Sequence, residues 1–413
     1  MADLPHPLNS DFMVRSDRIA SLRRRWGGWS LTSRDAILYA LAALFAAGTW
    51  WTSTDLAQWR WGQMATLPYA VAALVSLVGR GWAGTRRLAL ALAVLGALVV
   101  PLLVEVLWRV HSPYGGFAQP EVMVLERAAL ALFHGHTPYV AYWAHGHLVN
   151  PVAHGAPYES FFPYFPLMAI FGLPAVLVHS VTGWGDARLA ITAFSLVLTF
   201  LGAHLMSVTG GDDLPILALS VLAVALVHRR QPTSAGLVIG LAAAMKLTAW
   251  PLALVLIAVA RDDQDRHAGV KVASGTTLVV ACSVVPALIA NPMTFVANVI
   301  AFPLGLSHVA SPAASPLPGH LISVWSPTLG HLLVAVALLG VGMGAITVAR
   351  RHWPLDESRA LYVLALGTLV MISVASATRS GYLIYPFEMA VWGWGVGVRR
   401  APSYDRELLG SLS

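Results

Sequence analysis

The chain has 413 residues, of which 57% are hydrophobic and only 11% are charged. Soluble domains usually carry about 25% charged residues, so this composition, with a mean hydropathy of +0.67, excludes a soluble protein and predicts an integral membrane protein. The net charge of +6 does not indicate nucleic-acid binding, because the basic residues stand at the ends of apolar runs and not together on one face. We expect them to set the membrane topology instead.

Apolar runs long enough to cross a bilayer, which takes roughly 20 residues, recur along the whole chain. They are 35–53, 65–80, 86–108, 161–179, 187–208, 212–228, 268–290, 328–349, 359–378 and 381–398. A further apolar region, 233–260, is too long for a single crossing. The pattern predicts an all-α polytopic membrane protein with about 11 to 12 transmembrane helices.

Region 233–260 is predicted to be a broken-helix hairpin. Basic residues are enriched on the cytoplasmic side of membrane proteins, and the arginines before residue 35 place the N-terminus in the cytoplasm. If the region crossed the membrane once, Arg261, Arg266 and Lys271 would lie outside. Two short helices broken near Met245–Thr248 keep these residues, and the later basic clusters, inside.

The resulting organisation has a cytoplasmic segment (1–34), a single transmembrane domain (35–398) and a cytoplasmic tail (399–413). The loops 109–160 and 291–327 then face the outside, and the first of them is expected to be largely helical. Most of the chain's polar and aromatic side chains that could act on a substrate lie in these loops or at the helix ends beside them. We therefore expect a functional site on the extracytoplasmic face.

Glu121 opens a helix-period run in the first external loop, directly after Pro120 and before the helix-ending Gly135. Two interpretations stay open from its own context: a functional carboxylate, or a first-turn acid that only complements the helix dipole. Glu126 lies five residues later, so it points to a different face of the helix. We interpret Glu126 as a solvated surface charge.

Lys246 lies in the middle of the apolar hairpin. A lysine in hydrocarbon costs roughly 3 kcal/mol even on a lenient scale, and such residues usually face a polar cavity on a substrate path. The alternative is a structural ion pair with Glu388 or Glu105. A lysine beside a broken helix tip suits an anionic phosphate, because the unpaired amides and the cation both attract it.

Polar residues near the last helix form a second candidate patch. Arg379 is either a phosphate ligand or an interfacial anchor, and the nearby Tyr382 and Tyr385 on their own are typical of an interfacial belt. Among the histidines that flank the second external loop we select His320 as a further phosphate contact. The histidines of the first loop lack cysteine or acidic partners at zinc-site spacing, so we predict no metal site.

Three segments together resemble a known family. They are PEVMVLERAALALFHGHTPY (120–139), FFPYFPLMAIFGLP (161–174) and GLAAAMKLTAWPLALVLIA (240–258). Their order and spacing are similar to those of the membrane glycosyltransferases of the GT-C superfold, family 87, which includes polyprenol-phosphate-mannose-dependent mannosyltransferases. The resemblance covers roughly residues 86–398. It departs at Glu121, where the family usually has aspartate, and at Leu125, where the family has an aromatic residue.

The resemblance implies a GT-C-like bundle and an inverting sugar transfer on the outer face of the plasma membrane. The donor would be a polyprenyl-phosphate-linked hexose, most simply mannose, and the acceptor a glycolipid or cell-envelope glycan. No cofactor, metal or nucleic acid is implied, and the membrane lipids are the remaining partners. The family's acidic residue acts as general base, and that role falls on Glu121.

The other site residues follow from this chemistry. Lys246, Arg379 and His320 would bind the donor phosphate. The residues assigned to the sugar or the acceptor are Tyr139, Tyr142, Trp143, Tyr158, Tyr164 and Glu388. Two rival functions remain: a transporter or flippase that uses Lys246 and Glu388 as a midplane pair, and a catalytically degenerate scaffold subunit of the same fold.

Overall fold

The structure is a computed structural model that describes residues 31–79, 82, 84–112, 116–152, 155–201, 213–260, 265, 267–309, 311, 313–351 and 356–400. Almost all of the predicted cytoplasmic segment 1–34 and of the tail 399–413 lies outside these residues. The chain forms two compact units, Met1–Gln119 and Pro120–Ser413. All residues that were predicted to act on a substrate belong to the second unit.

The described part of the first unit is built from α1 (Leu31–Thr52), α2 (Leu56–Val78) and α3 (Thr85–His111). Asp55 caps α2 by accepting a hydrogen bond from the backbone N–H of Gln58 at 2.9 Å. Helices α1 and α2 approach so closely at Gly62 that a Cβ there would lie 2.5 Å from the backbone nitrogen of Trp50. A residue without a side chain allows this approach.

The middle of α3, Leu92–Val99, is a π-helix. The indole N–H of Trp61 donates to the carbonyl of Ala97 in this segment at 3.0 Å. Gly96 faces Pro68 so closely that a Cβ would lie 2.7 Å from the proline Cβ. A side chain that enters the hydrogen-bond ladder of a helix is a known cause of such distortion, so packing against α2 accounts for the irregular turn.

The second unit is mainly helical within the described residues. Its helices are α4 (Pro120–Phe133), α5 (Pro166–Thr182), α6 (Ala187–Leu201), α7 (Leu214–His228), α8 (Pro232–Ala243), α9 (Trp250–Val259), α10 (Ala268–Ala290), α11 (Pro292–Ala301), α12 (Pro318–Trp325), α13 (Pro327–Arg351), α14 (Glu357–Val374) and α15 (Ile384–Arg400). After α4 the chain also forms an antiparallel hairpin of β1 (Tyr142–Ala144) and β2 (His147–Val149).

The sequence analysis did not predict this β-hairpin. Its two-residue turn is His145-Gly146, and both residues have positive φ, at 50° and 80°. That conformation characterises the turns that two-residue hairpins prefer. The dipeptide between two short runs with aromatic and aliphatic residues was the local signal that could have revealed it.

Five helices in the described part of the chain are long and apolar enough to cross a membrane: α2, α3, α10, α14 and the Pro327–Val348 part of α13. They confirm the prediction of an all-α polytopic membrane protein. Other predicted crossings correspond to shorter apolar helices, among them α5 and α7. The end of the predicted crossing 187–208 lies outside the described residues.

The predicted break in region 233–260 is confirmed. Helix α8 ends at Ala243, Lys246 is extended with φ −150° and ψ 144°, and a 3-10 turn (Leu247–Ala249) leads into α9. Helix α8 packs tightly on α10 at Gly236, where a Cβ would lie 2.4 Å from the carbonyl oxygen of Val272. The backbone of α8 therefore lies directly against that of α10, and Lys246 lies at the tip of the hairpin.

Candidate active site

Glu121 lies in the first turn of α4, directly after Pro120. Its carboxylate forms an ion pair with the guanidinium of Arg379, the residue that precedes the short 3-10 helix Ser380–Leu383. The two side chains are 19% and 23% exposed, so salt screens them less than a pair on the open surface. The predicted base and one predicted phosphate ligand are therefore in direct contact.

Lys246 is the centre of a second polar cluster. Its ammonium lies 2.6 Å from Oδ1 of Asp213, and both side chains are largely buried. The same ammonium lies 5.4 Å from the ring centre of Tyr164 and 5.2 Å from that of Tyr382, within the range of cation–π attraction. The sequence analysis considered Glu388 and Glu105 as partners and missed Asp213, although an acid directly before Leu214-Pro215 is a helix-start signal.

Tyr385 closes the cluster around Asp213. Its hydroxyl donates to the same Oδ1 of Asp213 at 2.6 Å and accepts from the hydroxyl of Thr248 at 3.0 Å. Thr248 follows Lys246 by two residues in the hairpin tip. The start of α7, the hairpin tip and the start of α15 are therefore joined by one hydrogen-bonded network.

The segment from Arg379 to Tyr385 joins the two clusters. The backbone N–H of Tyr382 donates to the carbonyl of Arg379 at 3.0 Å. One tight turn thus carries the guanidinium that meets Glu121 and the ring that faces Lys246. A 3-10 helix rises about 2 Å per residue, which puts these two backbone positions about 6 Å apart. The residues called the polar site below are Glu121, Tyr164, Asp213, Lys246, Arg379, Tyr382 and Tyr385.

The residues just before α5 reach the hairpin tip. The backbone N–H of Phe165 donates to the carbonyl of Met245 at 3.0 Å, which brings the neighbouring Tyr164 beside Lys246. The hydroxyl of Tyr139 donates to the carbonyl of Tyr164 at 2.8 Å. Tyr139 is only 1% exposed, and burial raises the pKa of its hydroxyl. Its ring is therefore part of the core and supports Tyr164, a position that leaves it no face for a sugar.

Asn298 ties the first external loop to α11. It is fully buried, and its Oδ1 accepts from the backbone N–H of Phe162 at 2.7 Å. Its Nδ2 donates to the carbonyls of Ala141 and Thr294, both at 2.8 Å. The sequence analysis missed this residue, because an asparagine inside an apolar run gives no sign of which distant backbone groups it bonds.

Replacing Asn298 with leucine is expected to destabilise the protein. The change leaves the buried N–H of Phe162 and the carbonyl of Ala141 without these partners, and each such group costs about 1–3 kcal/mol. We expect a lower Tm for detergent-solubilised Asn298→Leu, measured by intrinsic fluorescence. Asn291→Ala is the control, because Asn291 caps α11 through a single bond to Thr294, and it should lower Tm less. An equal Tm for Asn298→Leu and the wild type would contradict this role.

Several other predicted residues lie in a smaller aromatic cluster between the two external loops. Trp143 and Tyr158 pack against the buried residues Phe161, Phe302 and Val309. The ring of Trp143 also lies 5.2 Å from that of His308. Tyr142 pairs with Val149 in the β-hairpin. These contacts join the loops, and the surfaces of Trp143 and Tyr158 that remain exposed stay candidates for acceptor contact.

His320 contacts the segment before the turn Arg379–Tyr382, and Glu388 follows this turn in the chain. Nδ1 of His320 lies 2.9 Å from the carbonyl of Ser376, and because a carbonyl only accepts, Nδ1 carries the proton. Ser376 precedes Arg379 by three residues, so His320 fixes the segment that leads into the site. Glu388 follows Tyr385 by three residues in α15, on the same helix face. Their predicted contacts with phosphate and sugar remain predictions.

Glu126 and Arg127 have structural partners. Oε1 of Glu126 accepts from the backbone N–H of Ala187 at 2.9 Å, which satisfies a free donor at the start of α6. The interpretation of Glu126 as a solvated charge is therefore wrong. Arg127 donates to the carbonyl of Glu159, and burial lowers the pKa of its guanidinium. Among the described residues no group of three or more His, Cys, Asp and Glu could hold a metal ion; His154 lies outside them.

The comparison with protein families decides the class of this protein. The model of glycosyltransferase family 87 matches residues 126–376. The chain belongs to glycosyltransferase family 87. The match confirms the resemblance found in the sequence and includes Tyr164, Asp213 and Lys246. It begins after Glu121 and ends before Arg379, so these two residues enter the site through their contacts in the structure. No curated protein matches the chain, and no solved structure matches it.

Proposed function

We propose that this family 87 glycosyltransferase moves a hexose, mannose in the first instance, from a polyprenyl-phosphate carrier to a lipid-linked or cell-envelope glycan. The transfer takes place on the extracytoplasmic face of the plasma membrane, with both termini in the cytoplasm. The single observation that carries the proposal is the turn Arg379–Tyr382, whose two ends meet Glu121 and Lys246. A carboxylate and a buried cation that contact the two ends of one turn are the two charges that such a transfer needs.

The reaction would be a single displacement with inversion at the anomeric carbon. The acceptor hydroxyl oxygen bonds to that carbon while its proton passes to Glu121 as general base. The bond from the anomeric carbon to the phosphate oxygen breaks, and its electron pair stays on the polyprenyl phosphate. Lys246 stabilises the charge that develops there, which is the main electrostatic requirement. A guanidinium has five N–H donors, so Arg379 can contact Glu121 and a phosphate oxygen together.

The lengths of the helices around Lys246 support a lipid-linked donor. Helix α7 has 15 residues, α8 has 12 and α9 has 10, which at 1.5 Å per residue gives about 22, 18 and 15 Å. Each is shorter than the hydrocarbon core of about 30 Å. Arg229 and Arg230, between α7 and α8, anchor one end at the cytoplasmic surface. The opposite ends, with Asp213 and Lys246, then lie recessed below the outer surface, within reach of a phosphate that enters from the lipid.

The proposal is tested with purified protein in proteoliposomes and labelled mannosyl, glucosyl and galactosyl polyprenyl phosphates. A glycolipid extract from cells that lack the protein supplies the acceptor, because the unused acceptor should accumulate there. We expect a labelled glycolipid from one donor, with inverted anomeric configuration by NMR. Accumulation of label inside the vesicles without a covalent product would instead support the transporter. Loss of the cellular glycolipid with no transfer by the purified protein would support the scaffold subunit.

A further inference from the structure

We infer that Asp213 is a positioning residue for the donor-phosphate site and acts by fixing the Lys246 ammonium. The inference rests on the proposed function, which assigns the phosphate to Lys246, and it adds a residue that the family match and the sequence motifs leave without a role. Asp213 would touch neither the sugar nor the acceptor. Its effect would reach the reaction through Lys246.

The geometry gives Asp213 two simultaneous donors on one oxygen. Oδ1 accepts from the Lys246 ammonium at 2.6 Å and from the Tyr385 hydroxyl at 2.6 Å. Thr248 donates to that hydroxyl at 3.0 Å and returns the network to the hairpin tip. The network is therefore a closed ring through three chain segments. A ring of this kind fixes both the distance and the orientation of the hairpin tip relative to Asp213.

A lysine needs such a constraint more than an arginine does. Its ammonium is a compact charge on a flexible four-carbon stem, whereas the planar guanidinium of an arginine is pre-organised and loses less entropy for each hydrogen bond it forms. In an apolar surrounding an uncompensated ammonium is also costly. Asp213 meets both requirements before the donor arrives. An ammonium has three N–H donors, so Lys246 can bond Asp213 and a phosphate oxygen together, and the cation is in place when charge develops on the leaving group.

The test is a double-mutant cycle that measures kcat/KM for the donor in proteoliposomes. Asp213→Asn keeps the size of the side chain and removes its charge, and we expect it to lower kcat/KM by about 10- to 100-fold, the effect of misplacing a group by about 1 Å. In a Lys246→Met background, Asp213→Asn should change kcat/KM by less than twofold, because the group it positions is gone. If Lys246→Met does not yield folded protein, Lys246→Gln takes its place in the cycle, because glutamine also removes the ammonium.

Asp186→Asn is the matched control. It removes a buried aspartate that lies 2.8 Å from the Arg188 guanidinium, at the start of α6. We expect it to lower Tm while kcat/KM stays within twofold of the wild type. Asp213→Asn with wild-type kcat/KM, or with the same loss in both backgrounds, would overturn the inference.

Binding of a long-chain polyprenyl phosphate without sugar separates the two proposals. It is measured with the same variants by quenching of tryptophan fluorescence. If the wild type binds this lipid with coupling between Asp213 and Lys246 but transfers no sugar from any donor, only the proposed function fails. If the wild type transfers sugar but neither binding nor kcat/KM shows the coupling, only the role of Asp213 fails.

Discussion

Replacing Glu121 with glutamine is expected to lower kcat by about 100- to 10,000-fold, the usual contribution of a general base. Glutamine keeps the size of the side chain and an oxygen that can accept from Arg379, but it cannot take the proton of the acceptor hydroxyl. KM for the lipid donor should change by less than threefold, since the proposed phosphate ligands Lys246 and Arg379 are both kept. The measurement is initial-rate kinetics with labelled donor in proteoliposomes.

Two further variants sharpen this prediction. Glu126→Gln makes the same change on the same helix, and because glutamine retains the oxygen that accepts from Ala187, we expect wild-type kcat and Tm. Glu121→Asp introduces the residue that is usual in the family but withdraws the carboxylate by one methylene. Small misplacements are costly in catalysis, so an intermediate kcat is expected. A kcat for Glu121→Gln equal to that of the wild type would remove Glu121 as the base.

Replacing Lys246 with methionine is expected to lower kcat/KM for the donor by about 100- to 1,000-fold, as the loss of one transition-state donor does elsewhere. Methionine keeps much of the apolar stem and removes the charge. The loss should appear in kcat as well as in KM, because the phosphate gains negative charge as the sugar leaves. Lys246→Arg keeps a positive charge with a different shape and should retain more activity. Both are measured against the same donor series.

Lys271→Met is the control for removing a lysine. Lys271 lies at the start of α10 and pairs with Asp265 at 2.8 Å, but half of its side chain is exposed. Pairs of this kind contribute about 0.2–1 kcal/mol, so we expect kcat/KM within twofold of the wild type. Because Lys246→Met removes the ammonium that pairs with Asp213, Tm is measured alongside the rates. An unchanged kcat/KM in folded Lys246→Met would refute phosphate binding by Lys246.

The sequence alone determined the features that depend on local composition and on solvation. Apolar run length predicted the membrane class, since the hydrocarbon core fixes how many apolar residues a crossing needs. Basic residues after 233–260 predicted the hairpin, and its break near Lys246 followed. Pro120 and Glu121 marked the start of a helix, and the structure begins α4 at that point. These inferences use local composition or the order of charges along the chain, and none of them needs to know which distant residues meet.

The tertiary structure alone decided which polar groups meet. Asp213 is 33 residues from Lys246 and 172 from Tyr385, and Asn298 bonds a carbonyl 157 residues away. No periodicity or spacing encodes such pairings, because they depend on how several helices pack at once. The same packing buried Tyr139, whose aromatic ring and position in a polar loop had suggested sugar binding. Sequence therefore identified Glu121, Lys246 and Arg379 one by one, and only the fold of the turn Arg379–Tyr382 brings them together.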